Sequence, residues 1–451
     1  MSTGRVATAG AIIILAVLAV LPAQAGAFAI SKLSLDPSTT QAGGHPDTTL
    51  TLSLTGSSSE DIRDLTVDLP PGLLGNPEAV TKCPKAQFQA DACPASSTVG
   101  TAKAVASAVG LSLPPVNGSV YVLEPEPTDA GTLGIVLRPL LSGLVINKLF
   151  VVNHIVTSKT ADGKDYLLRN VITNMPRQIT LLGGLLPVNA DIQLKQMSLT
   201  LNSRGPAPGS FFMTNPTSCK PAPTSATAVS YGGQVSTAQS SFTPTNCAAV
   251  PFDPSLDLQV ESTNINTSFK PTATIAFPAS ENPLHQSHVK DVVTKFPPGV
   301  GVNYIAAVLW AACADADLQN DACPAATRVG GAQVSVPPLP PDFTGDIYRI
   351  TTKPGSIFSI GAVLRGPRGI KALVQGDSSF TYVVTPDGPQ VQVIVKFTDL
   401  PQIPFTRFAL SMTAPILVNP GICQTRDAEA TLTGHSGAVA TVSRPYTTTG
   451  C

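Results

Sequence analysis

Eight cysteines are the residues whose spacing speaks most directly of chemistry. Cys83 and Cys93 stand ten apart, as do Cys313 and Cys323; Cys219 and Cys247 stand 28 apart, as do Cys423 and Cys451. No pair has the C-x-x-C spacing of a redox dithiol, and the Cys/His clustering of a zinc site is absent from the sequence. In an oxidising compartment such cysteines form disulfides by default. The repeated spacing reduces the possible pairings to three choices applied twice. Nearest-neighbour closure, Cys83–Cys93, Cys219–Cys247, Cys313–Cys323 and Cys423–Cys451, is the expected set. Loop entropy gives about 3 kcal/mol for each short loop and nearly 4 for each long one, as upper estimates.

The remaining polar residues offer no catalytic set. Five histidines occur, at 45, 154, 285, 288 and 435, but no G-x-S-x-G elbow supplies a serine for any of them to activate. His285 and His288, with Glu281 nearby, could approach a metal, yet a site normally needs three converging ligands, and their polar stretch reads as an exposed loop. Asp315, Asp317 and Asp321 resemble the opening of a calcium loop. Asn320 then occupies the sixth position, where glycine makes the turn, and Ala326 the twelfth, where a glutamate is required, so a solvated loop is expected. Glu124 and Glu126 lie in a proline-rich turn, and the separation that would make them a glycosidase pair is a property of the fold. The sequence therefore predicts no catalytic, cofactor-binding or metal-ligating residue. Aromatics are 5% of the chain. Trp310 is expected in the core beside Cys313, while the recurrence of Tyr121 and Tyr348 keeps a carbohydrate-stacking surface in view.

The elements that carry these residues occur twice. Leu69-Pro70-Pro71-Gly72 recurs as Phe296-Pro297-Pro298-Gly299, and Asp91-Ala92-Cys93-Pro94-Ala95 as Asp321-Ala322-Cys323-Pro324-Ala325. Val99-Gly100 matches Val329-Gly330, and the segment from Gly134 to Arg138 matches that from Gly361 to Arg365. Asn215-Pro216 before Cys219 matches Asn419-Pro420 before Cys423. Pro176 aligns with Pro401 at an offset of 225, and Asn215 with Asn419 at 204, so the first copy carries roughly twenty extra residues, assigned to 177–194. That insertion is apolar, turns at Gly183-Gly184, and reads as an added hairpin or a cover over one sheet.

Alternating β-branched and apolar runs at 49–55, 119–123, 134–137 and 391–397 predict strands, with Asp162-Gly163 and Asp387-Gly388 as hairpin turns. Short helices are expected at 84–88 and 303–312. The fold class is mainly β: two tandem copies of a β-sandwich-like unit, each with a short helical patch and a smaller cystine-closed lobe. The boundaries are 26–255 and 256–451.

Residues 1–25 read as a signal peptide, with Arg5, an apolar run from Ala11 to Leu21, and small residues before a cleavage site after Ala25. That run is too short for a membrane span. The later apolar stretch 140–156 is interrupted by Asn147, Lys148, Asn153 and His154, and the sequence closes at Cys451 without a hydrophobic tail. A mature chain free of membrane spans is expected, secreted or held at the cell envelope. Charged residues are 13%, half the usual share of about 25%, and the 43% hydrophobic content supports a core and disfavours disorder. A net charge of −1 gives no basis for nucleic-acid binding.

The segment Gln41 to Asp47, then Asp68 to Gly72, Gly75-Asn76-Pro77, Cys83, Ala86-Gln87-Phe88, Cys93-Pro94 and Val99-Gly100 resembles a family of large secreted repeat proteins of soil actinobacteria. The run Asp399 to Pro404, with Asn419-Pro420 and Cys423, resembles the same family. The resemblance implies export and repetition and brings no activity with it. The second copy departs from the pattern, with Ser268 to Pro271 in place of the His45 segment, which argues against His45 as an essential ligand. The function expected is a non-enzymatic secreted or cell-surface module for adhesion, envelope structure or ligand binding, with an envelope polymer or another surface protein as partner. A secreted hydrolase acting on glycans and an apolar small-ligand carrier lidded by the insertion are the alternatives.

Overall fold

The computed structural model describes residues 28–451 except 58–59, 109–110, 140–144, 164, 183–187, 206–208, 280–283 and 304–308. The expected signal peptide, Glu281 and the Gly183-Gly184 turn lie outside the described residues, as do residues 304–308 of the helix expected at 303–312, whose last residues 310–312 are not helical. No helix among the described residues is long and apolar enough to cross a membrane.

The chain is mostly β-strand, arranged as two large antiparallel sheets. From edge to edge the first runs Ala29–Pro37, Thr48–Thr55, Val188–Leu201, Thr98–Ala108, Val116–Leu123, Gly131–Leu137, Leu149–Lys159, Tyr166–Ile172, Ile62–Asp68, Ala222–Ser230 and Val235–Phe242. The second runs Ser255–Val260, Pro271–Ala276, Arg407–Met412, Arg328–Ser335, Phe343–Ile350, Phe358–Arg365, Lys371–Thr385, Gly388–Phe397, Val289–Lys295, Thr425–Gly434 and Val439–Thr447. Strand for strand, the order is the same. Each sheet curls until its edges meet. In the first half the Phe28 and Ile30 N–H groups donate to the Gln234 and Ser236 side chains, at 3.1 and 2.9 Å, and in the second Arg444 pairs with Asp257 at 3.5 Å. Both sheets are therefore barrel-like, which covers strand edges that would otherwise invite pairing.

Period-two patterning explains the curl. Along Ala222–Ser230, and from Ala428 to Gly434 in the second half, every second residue is buried, and those residues are mostly Ala, Thr and Ser. Small inward side chains let the closing hairpin fold tightly onto the larger Val, Leu and Ile of the other strands. Each closing hairpin lies within a 28-residue cystine loop, Cys219–Cys247 or Cys423–Cys451. Its first strand pairs with Ile62–Asp68 or Val289–Lys295, so the cystine-closed end of each copy extends the main sheet.

The ten-residue cystine loops, Cys83–Cys93 and Cys313–Cys323, each hold a one-turn helix, Lys85–Gln89 and Asp315–Gln319. Each helix drives one apolar side chain, Phe88 or Leu318, into the sheet. The strand beneath must be bare at that point: a Cβ added at Gly134 or Gly361 would lie 2.4 Å from Phe88 or Leu318. This contact accounts for the recurrence of a glycine four residues before Arg138 and Arg365.

The insertion forms a hairpin of Gln178–Leu182 on Val188–Leu201, with Gln178–Leu182 also pairing Val145–Ile146. The registers refine its position. Leu201 is opposite Gly100 and Met412 opposite Gly330, so these two strand residues correspond. Most of the first half's extra length therefore precedes Leu201 within 177–194, but the remainder lies in the loop between Leu201 and Phe211. Sequence anchors bracket only the sum of the two.

Candidate functional site

The chemistry-bearing residues are mostly engaged in structural work. Asp91 and Asp321 follow the two short helices in left-handed conformation, at φ 53° and 58°. Arg138 Nε reaches Asp91 at 3.0 Å with Lys148 on the same carboxylate; Arg365 Nε reaches Asp321 at 3.1 Å with Lys371 at 2.6 Å. Hydrogen bonding to Arg138 and Arg365 holds both carboxyls below their ordinary range. Asp321 is thus committed to an ion-pair network, while Asp315 and Asp317 stand exposed on the helix. Tyr121 and Tyr348 are buried under these networks and offer no stacking surface. Trp310 is half-buried against the second core, its carbonyl accepting from Arg349.

The acids are similarly occupied. Glu126 is paired with Lys85 at 2.9 Å, which lowers its carboxyl. Buried Asp129 accepts from Thr132 at 2.7 Å and contacts His154 Nδ1 at 2.7 Å. Buried Asp61 accepts the Leu194 N–H at 3.1 Å, and burial pushes its carboxyl up. His45 is stacked on Phe211, with ring centroids 3.7 Å apart. The His285 and His288 rings meet edge to face at 5.2 Å, and among the described residues no group of three His, Cys, Asp or Glu could hold a metal.

What the fold builds is apolar space. The first barrel encloses a chamber of about 190 Å³. Its wall is made by Leu50, Val67, Leu133, Ile155 and Leu199, with Asn153 and Asn170 joined to each other at 3.0 Å. One mouth is closed by the second half, whose Val336, Pro338, Leu339 and Phe343 complete the lining, with Ile403 and Pro404 beside them. Polar contacts lock this junction. Asp165 accepts from the Gln402 N–H at 2.9 Å and its side-chain amide at 3.2 Å; the Leu373 N–H donates to the Tyr166 hydroxyl at 3.1 Å; Arg368 donates to the Asp129 and Ala130 carbonyls.

The opposite end of the first barrel has a second cavity of about 80 Å³, lined by Leu113, Leu137, Leu149 and Met197, with Asp61 at its wall. The insertion contributes Ile179 and Ile192 to it. An apolar cavity therefore lies beneath the insertion, although residues 183–187 are outside the described set. Met197 borders both cavities.

A third group, at the edge of the junction, is the pair His285 and His288. The His285 N–H donates to the Gly43 carbonyl at 2.8 Å, and the His288 N–H to Thr217 Oγ1 at 3.2 Å. Burial, with His285 and His435 nearby, holds the His288 ring well below the usual imidazole range. Sequence reasoning passes over the role of Asp165, Gln402 and the loop 336–342. The signal it could have used is the run Val336-Pro337-Pro338-Leu339-Pro340-Pro341, whose extra prolines the first copy lacks.

No family model matches the chain, and no curated protein matches it. Among solved structures it is similar to one described as manganese lipoxygenase of Gaeumannomyces graminis with a partial structure of zonadhesin of Komagataella pastoris, at 11% identity. That match covers 93% of this chain and 95% of the other, with a TM-score of 0.19. It is also similar to a tetra-tandem repeat from the extending region of a large adhesion protein, at 11% identity, 95% and 100% coverage and a TM-score of 0.13. Scores this low carry no argument about fold or function.

Proposed function

We propose that this chain is a non-enzymatic module of the cell exterior that works by docking apolar and proline-rich surfaces end to end. It would act in adhesion or envelope architecture, alongside the large exported repeat proteins of soil actinobacteria that it resembles. The observation that carries the reading is the junction: the apolar mouth of one barrel is filled by the proline-rich loop of the next, fixed at its rim by Asp165 and Gln402. A fold whose own halves associate in this way is suited to bind similar surfaces on other molecules. Four disulfides and few charges suit an oxidising, exposed setting. The test is co-sedimentation of the mature protein with insoluble cell envelope from its producer, against a reduced and unfolded control. Fold-dependent pelleting supports the reading, and full recovery in the supernatant defeats it.

The chamber itself favours a second reading, an apolar small-ligand carrier. Leucine-lined cavities of this order stay dry and take up apolar molecules. A polarity-sensitive fluorescent probe should brighten on the native protein and lose that response when Leu133→Trp fills the chamber. An unchanged response in the filled variant removes the carrier reading.

A further inference from the structure

The two barrels meet with a fixed polarity. In each barrel one end, the head, holds the start of the strands Leu149–Lys159 or Lys371–Thr385, and the tail holds their finish. The tail of the first barrel receives the head of the second. The head of the first barrel is covered by its own insertion, which places Ile179 and Ile192 over Leu137 and Leu149. Those two residues correspond to Leu364 and Ala372, which line the chamber at the junction. The insertion thus occupies on the first barrel the place that the first barrel occupies on the second.

Among the described residues, the fourth end, the tail of the second barrel, has no such cover. It holds an apolar cavity of about 80 Å³ whose lining repeats that of the first chamber: Thr294, Ile360, Ile416 and Leu417 stand where the first barrel has Val67, Leu133, Phe212 and Met213. The strand that supplies Gly376 and Ser378 to this lining runs on to Phe380, Tyr382 and Val384, 53%, 71% and 89% exposed. They lie on the strand face that is buried from Ala372 to Ser378, so an inward-facing stripe emerges from the barrel into the open. The strand registers put Phe380 at the position of Thr157 and Tyr382 at that of Lys159, with Val393 and Val391 opposite them where Leu168 and Tyr166 meet the second half. The two exposed rings meet edge to face at 6.0 Å.

We infer that the tail of the second barrel is a docking site for the head of another unit of this kind, received through a proline-rich apolar loop like that at 336–342. The inference rests on the reading of the chain as an end-to-end docking module. Three observations set the occupant. The equivalent tail already holds such a loop; the cavity of this tail repeats the one that loop closes; and the added aromatics supply flat faces of the sort that grip polyproline segments. A second copy of the chain is not the expected occupant, because its free head is sealed by the insertion.

The decisive experiment extends the chain. Residues 248–451 are repeated after Cys451 as they follow Cys247, and the appended unit carries Phe380→Ser, Tyr382→Ser and Val384→Ser at its own tail, so that only the middle face is read. Hydroxyl-radical oxidation of Phe380 and Tyr382, read by mass spectrometry, should fall severalfold relative to the natural chain. Unchanged oxidation, with the appended unit showing a cooperative unfolding transition, overturns the inference. If the extension does not fold, a fluorescent peptide of residues 334–343 is titrated into the natural protein. Binding that the triple serine variant loses supports the site, whereas no binding, or binding equal in both proteins, overturns it. Envelope co-sedimentation is a separate outcome: a chain that docks units but stays in the supernatant keeps this site and loses the cell-exterior reading.

Discussion

Single residues in this protein are set by contacts that recur in both halves. Gly134 exists to admit Phe88, and Gly361 to admit Leu318. Gly134→Ala should cost about 1–3 kcal/mol, the usual penalty for overpacking a tight core contact, seen as a lower denaturant midpoint with an unchanged slope. The buried imidazole gives a prediction with a sign. His288 is held neutral by desolvation, with His285 and His435 facing it and Lys220 and Lys290 near His435. Its folded-state pKa lies below the unfolded value near 6.5, so the stability it contributes is present above that pH and is lost as the pH falls below it. The melting temperature should decline from pH 7 to pH 5, and His288→Leu should flatten that decline. A profile identical in the variant would assign the acid sensitivity elsewhere.

At the scale of elements, the cystines clamp two kinds of loop that have different jobs. The short ones fix a one-turn helix too brief to be stable alone. The long ones join the two open ends of the closing hairpin to each other, holding the strand that ends the barrel against its neighbour. Replacing Cys219 and Cys247 by serine should lower stability by up to about 3–4 kcal/mol, the loop-entropy value for that length, measured by equilibrium unfolding without reductant. The barrel edge should open first, with faster amide exchange in Val235–Phe242 than in the inner strands. The ion pairs that flank the short cystines are half-exposed at their basic partners. Their role is therefore placement of the helix more than net stability.

For the whole molecule the junction decides behaviour. Leu339 lines the chamber where the second half meets the mouth of the first barrel, and Asp165 fixes Gln402 beside it. Leu339→Asp would put a charge into that apolar mouth. Calorimetry should then show one unfolding transition separating into two, one per barrel, as the halves lose their mutual support. A single unsplit transition would mean that coupling runs through the linking segment near Val250 and Phe252 instead. The same polarity leaves the tail of the second barrel, among the described residues, without a counterpart of the loop that meets the tail of the first.

The sequence by itself determines the β class, the presence of paired halves and the ground for cystines, because these are written in local terms. Strand alternation, tight-turn residues and repeated spacings survive reading one residue after another. It also shows why no catalytic set can be named from motifs. Tertiary structure alone decides the rest. Asp321 becomes an ion-pair partner only because Arg365 and Lys371, more than forty residues away, are brought to it by strand pairing. The closing hairpin joins the main sheet because Ile62–Asp68 and Val289–Lys295 leave one edge free to receive it. The division of the extra residues depends on register, which anchors at Pro176 and Asn215 cannot resolve. The chamber, its closing loop and the exposed tail depend on which barrel end faces which, a relation among surfaces assembled from strands distant in the chain.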